Sequence, residues 1–474
     1  MKANNKANIS ILPCKGIVTM VRKLAIGFSI IVLIASCKKF VEVPNPDNEI
    51  QTEDVFENDN TAISALSGLY VQMSNASLLF SYGGLSVFCG LSSDEIYNTT
   101  TSTIYDPFAK NSVPVNEQTT NFSRFWGRAY TLIYQVNSVI EGVDKSTRLS
   151  SLVRDQVLGE AKFLRAFYYF YLVNLYGNVP LITTTDYREN SSIPRTEATE
   201  VYKQVINDLK SAQELLTESY PSTGKVRPNK WAATALLARA YLYTGDWVNA
   251  EDQASLILTS SNYVLENDLT KVYKINCTET IWELIPPVNQ NTQEGITFIP
   301  TSTTSKPAFA LTTHLFNSFT TGDQRKISWL KSNTVATVPY YYPFKYKVRS
   351  STVSEYNIVF RLAEQYLIRA EARAQQSKIT EAQADLNMIR KRAGLINTPA
   401  DARETLLIAI ENERQLELFA EWGHRWFDLK RTNRADLILG VAKSPYWQST
   451  DTLFPIPFSE IQANPFLKQN DGYF

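Results

Sequence analysis

Cysteine, histidine and methionine are scarce in this chain: 474 residues hold four Cys, two His and four Met. Beyond the N-terminal stretch only Cys89 and Cys277 remain, and two widely separated cysteines could form one disulfide but not the framework on which small secreted domains rely. With only His314 and His424 to help, they also fall short of the clustered ligands of a structural zinc site. Net charge is lacking as well, because 47 basic residues balance 47 acidic ones and no basic stripe interrupts them. Nucleic-acid binding, which draws its affinity from such a stripe, finds no support. No Gly-rich phosphate loop and no Gly-x-Ser-x-Gly elbow occurs. Asp94 and Glu95 are two adjacent acids, too few for a calcium site; they are expected to cap or orient the loop after them. No metal or cofactor is therefore expected. Long apolar runs are missing too. The run from Leu24 to Ala35 has about 12 residues, against the ~20 that span a bilayer.

That short run carries information. Arg22 and Lys23 precede it, and Ala35-Ser36-Cys37 closes it. A basic start, a short apolar stretch and a small-residue exit make a signal peptide, here residues 1–36. A cysteine directly after the exit can carry a thioether-linked diacylglyceryl group, so Cys37 is expected to be the lipidated first residue of the mature chain. Met20 would give the signal a conventional beginning, and N-terminal sequencing of the precursor checks this. Cys14 departs with the signal, and Cys89 and Cys277 are expected as buried thiols.

Residues 37–51, with their Pro and Asn, read as a lipidated tether. A first helix is expected from Thr52 to Met73, capped by Thr52 with Glu53 and Asp54 in its first turn. Residues 74–119 read as loop, broken by Gly83, Gly84, Gly90, Pro107 and Pro114. Helical spacing then takes over: Trp126, Tyr130, Ile133, Tyr134, Asn137 and Ile140 share one face. Further helices are expected at 150–176, at 197–216 and after Pro228. In residues 231–258 two helices meet at Thr244-Gly245-Asp246-Trp247, with Ala232, Ala235, Ala238, Ala250 and Ala254 allowing close approach. This resembles a tetratricopeptide (TPR) unit, and residues 360–393 form a second one. Stacked pairs bury a core that no single pair can bury.

Between the two pairs, residues 262–355 are rich in Thr, Ser, Asn, Pro and Tyr. A stretch of that length cannot be a plain loop. Strands are expected at 280–285 and 340–348, with Trp282 in the core. The fold class is mainly α: a TPR-like helical-hairpin scaffold with an irregular, short-strand region. Its N-terminal helical part covers 52–261. Its C-terminal part covers 262–474, with the irregular insertion at 262–355, helices at 356–440 and a loop segment at the end.

Five groups of residues now converge on one family. They are Phe163 to Phe170 running on to Tyr176–Leu181; Ala235 to Trp247; Leu362 to Ala372 with Leu386 to Gly394; Glu413-Arg414 through Glu417-Leu418 to Arg425–Arg431; and Pro455-Ile456-Pro457 with Asn464-Pro465 and Gln469–Tyr473. In this order they resemble the SusD/RagB family of Bacteroidetes outer-membrane lipoproteins. The resemblance implies a surface lipoprotein of the outer membrane, anchored by lipid and facing outward. It implies capture of a glycan or oligosaccharide nutrient and delivery to a SusC-like TonB-dependent transporter, without catalysis. Lys38 and Lys39 depart from the pattern, since surface-exported members often carry acids just after the cysteine.

The conspicuous charges of the fourth group have structural readings. Glu413, Arg414, Glu417, Glu421 and Arg425 fall at helical spacing, where opposite charges four apart support a helix. Arg425, Asp428 and Arg431 are expected to lock the last helix, with His424 structural. For binding, a sugar offers an apolar C–H face to an aromatic ring and hydroxyls to amides. Aromatics outside helices suit this better than those inside. The first irregular segment supplies Tyr97, Asn98, Tyr105 and Phe108; the second supplies Trp329, Tyr340, Tyr341 and Tyr342. Alternatives are the same scaffold binding peptide or another nutrient, or a lipid-anchored glycoside hydrolase with paired carboxylates.

Overall fold

The computed structural model describes Met1, residues 55–115 and residues 121–473. The chain divides into two compact units, residues 1–51 and 52–474, and the described body belongs to the second. The signal peptide, Cys37, the tether and the Thr52 cap lie outside the described residues. Among the described residues no helix is long and apolar enough to cross a membrane.

The body is mainly helical. The longer helices are α1 (Asp59–Met73), α2 (Gly84–Ser92), α3 (Asn121–Lys145), α4 (Ser151–Tyr176), α5 (Ala198–Leu215), α6 (Lys230–Thr244) and α7 (Trp247–Thr259). After the irregular region come α8 (Leu362–Gln375), α9 (Ile379–Arg392), α10 (Arg403–Leu418), α11 (His424–Arg431) and α12 (Ala435–Ala442). Local chemistry sets their ends. The Ser150 hydroxyl accepts from the Val153 N–H and starts α4, while Gly177, at φ 71°, stops it. Gly245, at φ 74°, closes α6, and the Asp246 carboxylate accepts from the Asn249 N–H to open α7. The Gly-Asp pair thus makes the sharp turn of the TPR-like unit.

Two expectations shift. The helix expected from Thr52 runs over Asp59–Met73 among the described residues, and the Asn58 side chain accepts from the Asn60 N–H at its start. In the expected loop, Gly84 and Gly90 do not break structure; they lie in α2, buried throughout. Gly90 is there for space, since a Cβ would sit 3.1 Å from Ile96 Cδ1.

Packing follows the chain. Each of α3 to α10 packs on its successor, and α7 meets α8 directly although residues 260–361 intervene. Ala232, Ala235, Ala238, Ala250 and Ala254 are all fully buried at these contacts. The irregular region therefore leaves the stack after α7 and returns to it. Strands β2 (Thr280–Leu284) and β6 (Asn357–Arg361) pair antiparallel at its two ends and hand the chain to α8. Helix α4 is enclosed from Val157 onward, its Phe163 and Phe167 rings meeting Trp282 edge-on at 4.9 and 5.4 Å. Trp282 is fully buried, as expected. Cys89 and Cys277 are both buried and free.

The charges of the fourth sequence group do not pair along a helix surface. Glu413, Arg414, Glu417, Glu421 and Arg425 are all buried. Arg361 donates to Glu417 at 2.5 Å and to Glu421 at 2.9 Å, while Arg325 reaches Glu413 at 2.7 Å. Arg392 bridges Glu279 and Glu417. Arg431 does pair with Asp428, but Arg425 turns instead to Asp94 and Glu411. The acids are buried counter-charges for arginines on other elements, which i,i+4 spacing could not reveal.

Candidate functional site

The expected ligand aromatics come from two segments far apart in sequence, and short strands bring them together. Strand β1 (Ile96–Asn98) pairs antiparallel with β3 (Phe309–Leu311), setting Tyr97 opposite Ala310. Strand β3 packs in turn against β5 (Val338–Pro343). Strands β4 (Leu330–Val335) and β5 form a hairpin closed by Ala336 and Thr337, at φ 48° and 71°. Two positive φ angles give the tight turn whose twist suits a hairpin.

Tyr97 is 40% exposed and Tyr340 partly so. Burial, and next the nearby Tyr340, raise the Tyr97 phenol above its ordinary value. The Asn98 amide donates to the Ser102 carbonyl at 3.0 Å, and its oxygen accepts from Thr100. Asn98 is thus held by its own loop, among hydroxyls. On the hairpin, Asn333 donates to the Ser302 and Ser305 carbonyls, both at 2.8 Å, and fixes a Ser/Thr-rich loop beside Tyr340. Lys306 Nζ lies 5.1 Å from the centre of the Tyr340 ring. Tyr341 points to the other face of the hairpin and stacks on Phe316 at 3.9 Å and 23°.

Three of the expected residues are buried and cannot offer a sugar a free face. Phe108 packs between Phe88 and Phe454, with centroids at 4.5 and 5.5 Å. Tyr342 is 2% exposed. Trp329 is fully buried; its indole N–H donates to the Leu269 carbonyl at 2.8 Å. Its ring faces Lys345, Arg361 and Arg392 at 4.9 to 5.9 Å, so it walls the buried ion cluster. Tyr105 is intermediate, its ring edge-on to Phe309 at 4.8 Å, and supports β3 from below. The accessible set is Tyr97, Asn98, Tyr340 and Tyr341, joined by Lys306 and Phe316, which carry no sequence signal beyond their residue type.

Asp94 and Glu95 stand behind β1. Asp94 receives Arg425 through two hydrogen bonds of 2.7 and 2.8 Å. Glu95 accepts from the Ala420 N–H at 3.2 Å, and burial pushes its carboxyl up to about 8. They tie β1 to the α10–α11 junction rather than capping the next loop. Among the described residues no group of His, Cys, Asp and Glu is placed to hold a metal. A cavity of about 690 Å³ lies against the short helix Thr313–Ser318, lined by His314, Arg390, Asn412 and Gln415 among others.

Two family models match the chain. One, described as starch-binding associating with outer membrane, covers residues 86–242; the other, the SusD family, covers residues 330–473. The chain belongs to the SusD family. A SusD-like protein of Formosa agariphila is 24% identical over 92% of this chain and 96% of its own length. The starch-binding protein SusD of Bacteroides thetaiotaomicron is 23% identical, covering 66% of this chain and 72% of that protein. Among solved structures, a SusD superfamily protein from Bacteroides vulgatus superposes with a TM-score of 0.78 at 20% identity, over 88% of this chain and 99% of that one. A laminarin-binding SusD-like protein gives 0.74 at 26% identity, over 88% and 100%. The helical, TPR-like architecture read from the sequence is that of these SusD superfamily folds. Residues 243–329, which carry Lys306 and Phe316, fall between the two matched stretches of this SusD-family chain.

Proposed function

We propose that this chain is a non-catalytic outer-membrane lipoprotein, anchored through Cys37 and facing outward, that binds a glycan on the Tyr97–Tyr340 face and delivers it to a SusC-like TonB-dependent transporter. The observation that carries the binding reading is the pairing of two accessible tyrosines across β1, β3 and β5, bordered by Asn98 and a hydroxyl-rich loop. Flat rings take the apolar face of a sugar, and amides and hydroxyls take its hydroxyls. Family membership and the laminarin-binding relative support a carbohydrate over other nutrients. The two segments that build the face, 96–105 and 300–345, contain one acid, Asp323. It is buried and bound to Arg325, so it offers no free carboxylate to a bound sugar.

Affinity electrophoresis and calorimetry against polysaccharide and peptide panels test this reading. Glycan binding without turnover is expected. Turnover of a bound glycan would overthrow the non-catalytic assignment, and binding of peptides alone would move the cargo to peptide. For the anchor, Cys37→Ser is expected to abolish incorporation of a labelled fatty acid.

A further inference from the structure

We infer that the glycan taken by this face is anionic, bearing uronate or sulfate groups; this rests on the glycan-binding reading above. The chain as a whole is neutral, with 47 basic and 47 acidic residues, but the binding face is not. Its two segments, 96–105 and 300–345, hold one acid, Asp323, which is buried against Arg325; of the acids flanking the first segment, Asp94 is bound to Arg425, Glu95 is buried and Asp106 is partly exposed. The same segments hold four lysines. Lys345 is consumed inside by Glu421 at 2.5 Å. Lys306 and Lys331 are exposed and Lys326 is partly so, and none of the three has a carboxylate partner among the described residues. A surface with an excess of one sign, rimming a recognition site, favours ligands of the other sign.

Geometry sharpens the point. Each ammonium sits over an aromatic ring: Lys306 over Tyr340 at 5.1 Å, Lys326 over Phe316 at 4.1 Å and Lys331 over Phe344 at 4.8 Å. Lys326 adds a long hydrogen bond to the Phe319 carbonyl, 3.4 Å. Phe316 is the ring that stacks on Tyr341. On one face of the hairpin Tyr340 has Lys306 beside it; on the other, Tyr341 stacks on Phe316, which carries Lys326. A sugar laid on the Tyr97–Tyr340 face projects its carboxylate or sulfate from the ring edge. A lysine stem is flexible enough to leave the ring and meet it. The exposed cation–π contact it gives up is weaker than the charge-assisted bond it gains.

The test is calorimetry on the full chain in detergent with three probes: oligogalacturonate, a carrageenan oligosaccharide and a laminarin oligosaccharide. At least one anionic probe is expected to bind about tenfold or more tighter than the neutral one, with affinity falling as salt rises. Lys306→Gln and Lys331→Gln, both on the Tyr340 side of the hairpin, are each expected to weaken that probe by about tenfold, and Lys306→Arg to preserve it. Lys145→Gln, on the distant α3, is expected to change nothing. Equal or tighter binding of laminarin, full affinity in both glutamine variants, or an equal loss from Lys145→Gln would overturn the anionic assignment while leaving the glycan reading intact. Binding of none of the three probes would bring down both.

Discussion

Arg239 and Glu364 meet through two hydrogen bonds of 2.6 and 2.7 Å, each side chain 1% exposed. They join α6 to α8, so one buried ion pair fastens the helical stack across the point where the irregular region leaves it. Tyr171 of α4 accepts a third bond from the same guanidinium at 2.9 Å. Removing one partner strands the other charge in the interior. Glu364→Ala is expected to cost about 3–5 kcal/mol of folding stability, read by urea denaturation. Replacing both residues by Met and Leu is expected to recover much of it, because a packed apolar pair carries no uncompensated charge. A Glu364→Ala variant as stable as the parent would show the pair to be dispensable.

A second prediction concerns pH. Burial is the chief cause that pushes the Glu95 carboxyl up to about 8, well above its value in an unfolded chain. The folded state therefore holds this proton where the unfolded state has released it. The stability contributed is fully present below the unfolded carboxylate pKa, near ~4.3, and is lost as pH rises through about 8. Glu95→Gln keeps an oxygen for the Ala420 N–H and removes the proton linkage. Its stability relative to the parent is expected to climb with pH across that window, by at most about 1.4 kcal/mol per pH unit, and to level off above it. A parent-to-variant difference that stays flat from pH 5 to 8 would contradict this.

The scaffold was legible because its signals are local. Gly245-Asp246 announces its own turn, and the buried alanines of α6 and α7 repeat at helical spacing. The site was legible only in part. Residue type marks an aromatic but not the element that will cover it. Trp329 looks like a platform until Lys345, Arg361 and Arg392 arrive from three distant stretches. The acids of α10 looked like surface pairs for the same reason: their partners come from β6, α9 and the short turn at Arg325. In α2 the glycines misled, because close packing requires the same missing side chain that a turn does.

This division between face and core yields paired substitutions. Tyr97→Ala and Tyr340→Ala are expected to lower glycan affinity by about fivefold each, in line with the ~1 kcal/mol of a ring contact, while leaving the melting temperature nearly unchanged. Phe108→Ala and Trp329→Ala are expected to lose about 3–5 kcal/mol of stability through the cavities they leave. Where they fold, their affinity should match the parent. Calorimetry beside thermal denaturation separates the two effects. Unchanged affinity in both tyrosine variants would remove the face from consideration.

Two glycines with the same backbone angle are expected to respond differently to a methyl group. Gly245 and Gly423 sit at φ 74° and 73°. Alanine at either position pays the left-handed strain, roughly 1 kcal/mol. At Gly245 nothing else opposes it, since the nearest atom to a new Cβ is Trp247 Cζ2 at 3.6 Å. At Gly423 the new Cβ would stand 2.8 Å from Cys89 Cβ and 3.0 Å from its sulfur, inside the core where α2 meets α11. The cysteine is buried and its Cβ cannot rotate away. Gly423→Ala is therefore expected to cost clearly more than Gly245→Ala, by roughly a further 1–3 kcal/mol of overpacking. Cys89→Gly removes both clashing atoms and should make the second substitution milder in a double-mutant cycle. Additive losses from Gly423→Ala and Cys89→Gly would mean that the two residues do not compete for the same space.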